Sequence, residues 1–256
     1  MSIEDKLTSI AENQEKVFEA GKAQDRSDFW DTYQDYGRQL NYKHMFANFF
    51  WTEERIKQYK YPLCPNGVQI NGYMMFADNN NIVDLTKVLW RDKENVLYFS
   101  GAQYAFRNCS NLQRVGKMRC RNYIQNTFET CPMLAVIDEL TIDSSSGISA
   151  FAAVPNLTYI KWAGEGCIGV DIDLSSATAT TTIVVPEEVL DDSGNVEIAA
   201  GTEVTETGVM YNPTIKTLIP ALKSGVYKKL TLGEINKAKL SEADIATITG
   251  KGWTIV

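Results

Sequence analysis

The chain has 256 residues, 44% hydrophobic and 22% charged, enough apolar material to bury a core without disulfide or metal staples. A net charge of -7 with a pI near 4.9 excludes a general nucleic-acid surface, which is built from clustered Lys and Arg that displace counterions. The five cysteines, at 64, 109, 120, 131 and 167, form no CxxC and the sole histidine is His44, so the ligand pairs of a zinc site are missing and neither metal nor cofactor is expected.

The start, MSIEDKLTSIAENQEK, lacks the basic and apolar regions of a secretory signal, and no apolar run reaches membrane-spanning length. Neither Sec export nor membrane insertion is expected, and the thiols are expected to be reduced in a cytoplasm. Ile3, Leu7, Ile10, Gln14 and Val17 follow a 4-3-4-3 spacing among charged residues, a narrow heptad seam. Two readings stay open: a helix docked on its own domain, or a homotypic coiled coil in which Gln14 is the polar core residue that sets register. Phe29, Trp30, Tyr33 and Tyr36 share a face of a second predicted helix that stops at Gly37. Residues 38–74 read as an aromatic-rich capping region, broken by Pro62, Pro65, Asn66-Gly67 and Asn71-Gly72.

A phrase then recurs four times: MFADNNNIVDL from Met75, AFRNCSNLQRV from Ala105, TFETCPMLAVI from Thr127 and AFAAVPNLTYI from Ala150. Its columns are Phe76, Phe106, Phe128, Phe151; Asn79, Cys109, Cys131, Val154; Ile82, Leu112, Leu134, Leu157; and Leu85, Val115, Ile137, Ile160. Within a copy these residues stand three apart. On a helix at about 100° per residue, Phe106 and Val115 would face opposite ways, and on a strand steps of three alternate faces. A coil that bends around an axis can point them all inward, and stacked coils bury one another's open faces. The fold predicted is an α/β repeat solenoid with short parallel strands, preceded by N-terminal helices. Cys109 and Cys131 share a column with Val154, so they read as small apolar fillers of a tight turn, not as ligands or nucleophiles.

The pattern AFxxCxxLxxV/I resembles the BspA-type leucine-rich repeats. Together with IEDKLTSIAENQEKVFEAGK, FWDTYQDYG, the Trp51-Thr52-Glu53-Glu54 stretch, and the closing LTLG and GKGWTIV, the chain is similar to leucine-rich-repeat proteins encoded in phage and prophage tail regions of gut Firmicutes. The resemblance implies a virion structural protein of the tail tip or baseplate, made in the host cytoplasm, that touches other tail proteins and binds a bacterial surface protein or glycan.

Residues 75–182 are assigned to the repeats, with Ile168, Val170, Ile172 and Leu174 alternating as a strand. Residues 183–210 depart from the pattern and read as an inserted hairpin around Asp192-Ser193-Gly194-Asn195. Residues 211–256 read as closing repeats: a helix with Asn212 as N-cap, Pro213 at N1 and Gly225 as stop, a strand KKLTLG, a helix capped by Ser241 and Asp244, and a strand WTIV.

Chemistry finds little purchase. A Ser-His-Asp or Cys-His site would need His44, which sits among aromatics, and no GxSxG elbow occurs. GEGCIG lacks the Lys and helix of a phosphate loop, and DDSGN lacks the ligands of a calcium loop. Asp171 and Asp173 share a strand face, which admits a glycan-degrading carboxylate pair, although solvated acids explain them more simply. Residues 1–37 are assigned to self-association and the repeats to receptor binding, with Trp162, Asp171, Asp192 and Asn195 as contacts. An exported bacterial adhesin is the alternative, and no catalytic residue is named.

Overall fold

A computed structural model describes residues 3–23, 40–41, 46–47, 51–58, 69–87, 96–143, 149–191 and 193–256. Six parallel strands lie side by side in chain order: β1 (Leu40–Asn41), β2 (Ile70–Asn71), β3 (Val96–Gly101), β4 (Arg114–Cys120), β5 (Val136–Ile142) and β6 (Tyr159–Trp162). Register is kept from strand to strand, with Val96 beside Lys117 beside Glu139, and Phe99 beside Cys120 beside Ile142.

The repeated phrases lie in the turns that carry the chain from one strand to the next. Phe76, Phe106, Phe128 and Phe151 form one stack, with successive ring centroids 5.1, 5.4 and 5.6 Å apart and interplanar angles of 9°, 2° and 17°. The Ile82/Leu112/Leu134/Leu157 and Leu85/Val115/Ile137/Ile160 columns are buried beside it. Three-apart spacing works because each turn holds two left-handed residues, one on either side of the Phe: Met74 and Asp78, Tyr104 and Asn108, Asn126 and Thr130, Ser149 and Ala153. The backbone between them donates to the next turn: Phe76 N–H to Ala105 O (2.8 Å), Phe106 N–H to Thr127 O (2.9 Å), Phe128 N–H to Ala150 O (2.9 Å). These bonds satisfy peptide groups that burial would otherwise leave costly.

The second column does more than fill space. Cys109 Sγ donates to Phe76 O (3.0 Å) and Cys131 Sγ to Phe106 O (2.9 Å), while Asn79 Nδ2 donates to Phe46 O and Trp51 O. Val154 cannot donate to Phe128 O, and the pattern resumes one turn later, where Ser176 Oγ donates to Phe151 O (2.8 Å). At the other end Phe46 stacks on Phe76 (5.5 Å, 23°) and Trp51 stands edge-on to Phe46 (5.0 Å, 90°). Phe46 therefore adds a layer to the stack in what the sequence reads as cap.

The α/β repeat solenoid is corrected: the described chain is a mixed fold, with one large parallel sheet, three small sheets and few helices. Between the repeat strands the chain returns by turns and a 3-10 segment (Leu85–Lys87). Sheet growth stops at β6, where α3 (Asn212–Ala221) occupies the edge, following α1 (Ile3–Ala23) and α2 (Glu53–Gln58) in the chain. Ile160 N–H donates to Thr214 Oγ1 (3.0 Å) and Trp162 N–H to Thr217 Oγ1 (2.9 Å), so side-chain hydroxyls replace the acceptors of a seventh strand. β7 (Ile172–Asp173) belongs to a separate parallel sheet with β12 (Lys228–Thr231) and β13 (Trp253–Ile255). Of the alternating run from Ile168 only Ile172–Asp173 is strand, and Ile168 makes one bridge, to Leu222.

The insertion is two nested hairpins instead of one. β8 (Thr180–Val184) pairs antiparallel with β11 (Glu203–Thr207), and inside it β9 (Val189–Leu190) pairs with β10 (Val196–Ile198). It covers one end of the sheet's outer face, where Ile183, Val185 and Val189 join Val136, Tyr159 and Tyr211 in a small second core. The N-cap position of α3 is held by Tyr211, not Asn212, without a side-chain cap bond, and the helix ends at Ala221, just past Pro220 and short of Gly225. The short α4 (Gly233–Lys237) and α5 (Glu242–Gly250) follow. Ser241 Oγ accepts from Asp244 N–H while Asp244 Oδ2 accepts from Ser241 N–H, the reciprocal cap at the start of α5.

Candidate binding surfaces

The predicted contact residues do not meet. Trp162 is corrected from contact to core: it is 3% exposed and stands edge-on to Phe151 at 6.0 Å. Asp171 is exposed, but its Oδ1 accepts the Lys229 N–H (2.8 Å) and so ties β12 to the chain entering β7. Asp173 Oδ1 accepts from Ser175 N–H and Oγ–H. Both carboxylates therefore hold backbone, Asp171 that of a neighbouring strand and Asp173 that of its own turn. Asp192 lies outside the described residues, as do His44 and Cys64. Asn195 is exposed at the hairpin tip and donates to Asp191, whose carboxyl lies below the ordinary range because Asn195 and the turn N–H groups stabilise its charge. Among the described residues no cluster of His, Cys, Asp or Glu is assembled for a metal.

The predicted seam on α1 is split. The side chains of Ile3, Leu7 and Val17 lie outside the description, and Ile10 is 47% exposed. Within the chain, Gln14 Nε2 donates to Ala47 O (3.2 Å), and next to it Glu15 pairs with Arg55 (3.0 Å). The middle of the helix is docked on its own chain, one turn away from an exposed Ile10.

On the sheet's outer face, charges pair between β4 and β5. Arg114 grips Asp138 with two bonds (2.9 and 3.0 Å), Lys117 approaches Glu139 (3.9 Å), and Arg119 reaches Asp143 (2.6 Å) while lying over the Tyr98 ring. Burial raises the Asp138 carboxyl despite its Arg114 partner. These pairs neutralise one another across the ladder and leave little net field.

Two recesses flank this face. A cleft of ≈ 350 Å³ lies between β6, the inner hairpin and α3. Its polar groups satisfy one another: Tyr159 O–H donates to Glu187, Lys161 Nζ pairs with Glu187 (2.7 Å), and Lys216 Nζ donates to Leu190 O (3.0 Å). Burial, then the Glu187 charge, holds the Tyr159 phenol above its ordinary range. The cleft is the seam by which the insertion is fastened to the sheet.

The second recess, ≈ 210 Å³, opens where β2, β3 and β4 run out into their turns, and Asn71, Tyr73, Gly101, Gln103, Asn122 and Tyr123 line it. Gly72 N–H to Gly101 O (3.0 Å), Ala102 N–H to Tyr123 O (2.7 Å) and Asn122 N–H to Ser100 O (3.1 Å) hold its backbone. Asn71, Gly101 and Tyr123 each stand five residues before a stacked Phe; Tyr73 and Gln103 stand three before. The sequence reading missed these residues because it begins each copy one residue before the Phe column. Extending the same alignment upstream finds them.

The buried thiols are not reactive groups. Desolvation pushes Cys120 and Cys131 up to about 12 and Cys109 well above its ordinary value, so all three stay protonated at neutral pH. No model of a protein family matches the chain, and no curated protein or solved structure does either.

Proposed function

We propose that the chain is a non-catalytic component of a phage tail tip or baseplate that self-associates through α1 and binds a component of the host surface. The observation that carries the binding part is the recess at the ends of β2, β3 and β4, whose side chains come from three adjacent turns of one laddered frame. A frame with buried columns keeps contact residues at fixed spacings, and the turns are free to vary in sequence. The tail assignment is supported by the N-terminal phrases and repeat columns, and self-association by the exposed Ile10 on a heptad seam. An antibody against the full chain should label the tail tips of gradient-purified particles in negative stain. Unlabelled tails, with the protein found free in the culture medium, would remove the virion assignment in favour of an exported adhesin.

A further inference from the structure

We infer that the recess formed by Asn71, Tyr73, Gly101, Gln103, Asn122 and Tyr123 is a binding site for one ring of a neutral saccharide; the inference deepens the proposed host attachment and rests on it. Among the described residues, no charged and no aliphatic side chain lines the recess, unlike the cleft beside β6 with its Lys and Glu residues. Amides and phenols both donate and accept, which matches sugar hydroxyls that must do both at once. Tyrosine offers a rigid, amphipathic contact surface, and its ring face suits the C–H face of a pyranose. The volume of ≈ 210 Å³ falls below the roughly 300 Å³ at which pockets for drug-sized ligands begin, a fit to one ring of a longer chain. The net charge of -7 repels anionic saccharides and leaves neutral ones.

Two further observations separate this recess from an accidental dent. The Gln103 side chain and the Tyr123 hydroxyl make no hydrogen bond with any described residue, and Tyr123 is 48% exposed. Asn71 Oδ1 fixes Tyr73 by accepting its N–H (3.2 Å), so one wall is positioned from within. Among the described residues, neither backbone nor packing requires the glycine at 101: its φ is not in the left-handed region, and a Cβ there would meet only Tyr123 Cδ2, at an ordinary 3.6 Å. Gly72 is the contrast, since a Cβ there would fall 2.0 Å from Phe99 Cε1. Gly101 leaves the floor of the recess open between Asn71 and Tyr123.

Gly101→Gln should therefore fill the site while the protein stays folded, and Gln103→Ala and Tyr123→Ala should strip its walls. Saturation-transfer NMR on the full chain would use the methyl glycosides of glucose, galactose, mannose and N-acetylglucosamine. At least one should receive saturation on its ring C–H protons, and Gly101→Gln should weaken that binding tenfold or more, with unchanged circular dichroism. Binding by none of the four, or equal binding by Gly101→Gln and Tyr123→Ala, overturns the inference. A second arm tests adhesion of the labelled chain to intact Firmicutes cells. Adhesion lost after periodate and kept after protease supports a saccharide ligand; adhesion lost after protease and indifferent to periodate overturns it but leaves host attachment standing. Absent adhesion overturns host attachment itself, and the glycoside titration then decides the recess separately.

Discussion

Thr130 has φ of 58° and an exposed side chain, and a β-branched residue in the left-handed region is strained by about 1–2 kcal/mol. Asn108 occupies the equivalent place one turn earlier at φ 60°, and Asn tolerates that region better. Thr130→Asn should stabilise the protein by about 1 kcal/mol, read as a higher urea midpoint at unchanged slope; a lower midpoint would show that Thr130 contributes an interaction that Asn cannot replace. The buried cysteines make a pH prediction. Cys120 and Cys131 rise from an ordinary 9.0 to about 12 when folded, so between those values the folded state holds protons that the unfolded state has lost. Stability is then fully present below pH 9 and declines as pH rises towards about 12. Cys131→Val, which copies the residue at 154 in the same column, should make the alkaline decline shallower by about one proton equivalent, measurable from urea midpoints at pH 8 and pH 10.5. An unchanged slope would mean that the Cys131 thiol ionises as easily folded as unfolded. That Cys109 and Cys131 are structural is legible from a column shared with Val. That they donate to Phe76 O and Phe106 O is not, because each acceptor belongs to the preceding turn.

At the scale of elements, the stack of turns and the edge of the sheet are held by different forces. Leu134 is fully buried in its column, and Leu134→Ala should cost about 3 kcal/mol, the transfer loss plus a cavity that neighbours on both sides cannot collapse to fill. Unchanged thermal stability would contradict the stacking. Thr214 is also fully buried, and its hydroxyl accepts the Ile160 N–H 54 positions away in the chain. Thr214→Val keeps the shape but orphans a buried N–H, and should cost about 2 kcal/mol; faster hydrogen exchange at Ile160 would locate the loss. A cost near zero would mean that water replaces the hydroxyl. The helix containing Thr214 is legible as a helix from Pro213 and its apolar spacing. Its place at the edge of β6 is not, since nothing near Thr214 in the sequence names Ile160.

For the whole molecule, α1 is the element whose packing decides assembly. Gln14 and Glu15 fasten it to residues 47 and 55, while Ile10 stays exposed. Light scattering should give a mass above the 28.7 kDa of one chain for the full protein, and a monomer after deletion of residues 1–22 with the parallel sheet still folded. Equal masses for both would show that the seam serves docking alone. The aromatic stack reaches beyond residues 75–182 at one end, and the large parallel sheet stops short of residue 182 at the other. Phe46 extends the aromatic stack into residues 38–74, where its neighbours differ too much from the other copies to align. Past β6 the regular returns give way to nested hairpins and a separate three-stranded sheet, which ends the repeat architecture that the four copies imply.

Local chemistry alone determined the inward columns and the reciprocal cap at Ser241 and Asp244. Spacing and side-chain type are properties of neighbouring residues, and each of these features is built within about a dozen positions. Only the tertiary structure decided that Trp162 is core, that Gln14 bonds its own chain, that the sheet stops at Thr214, and that Gly101 opens a recess beside Tyr123. Each of those outcomes depends on a partner brought from a distant part of the chain, and which distant backbone arrives is decided by packing that no single segment contains.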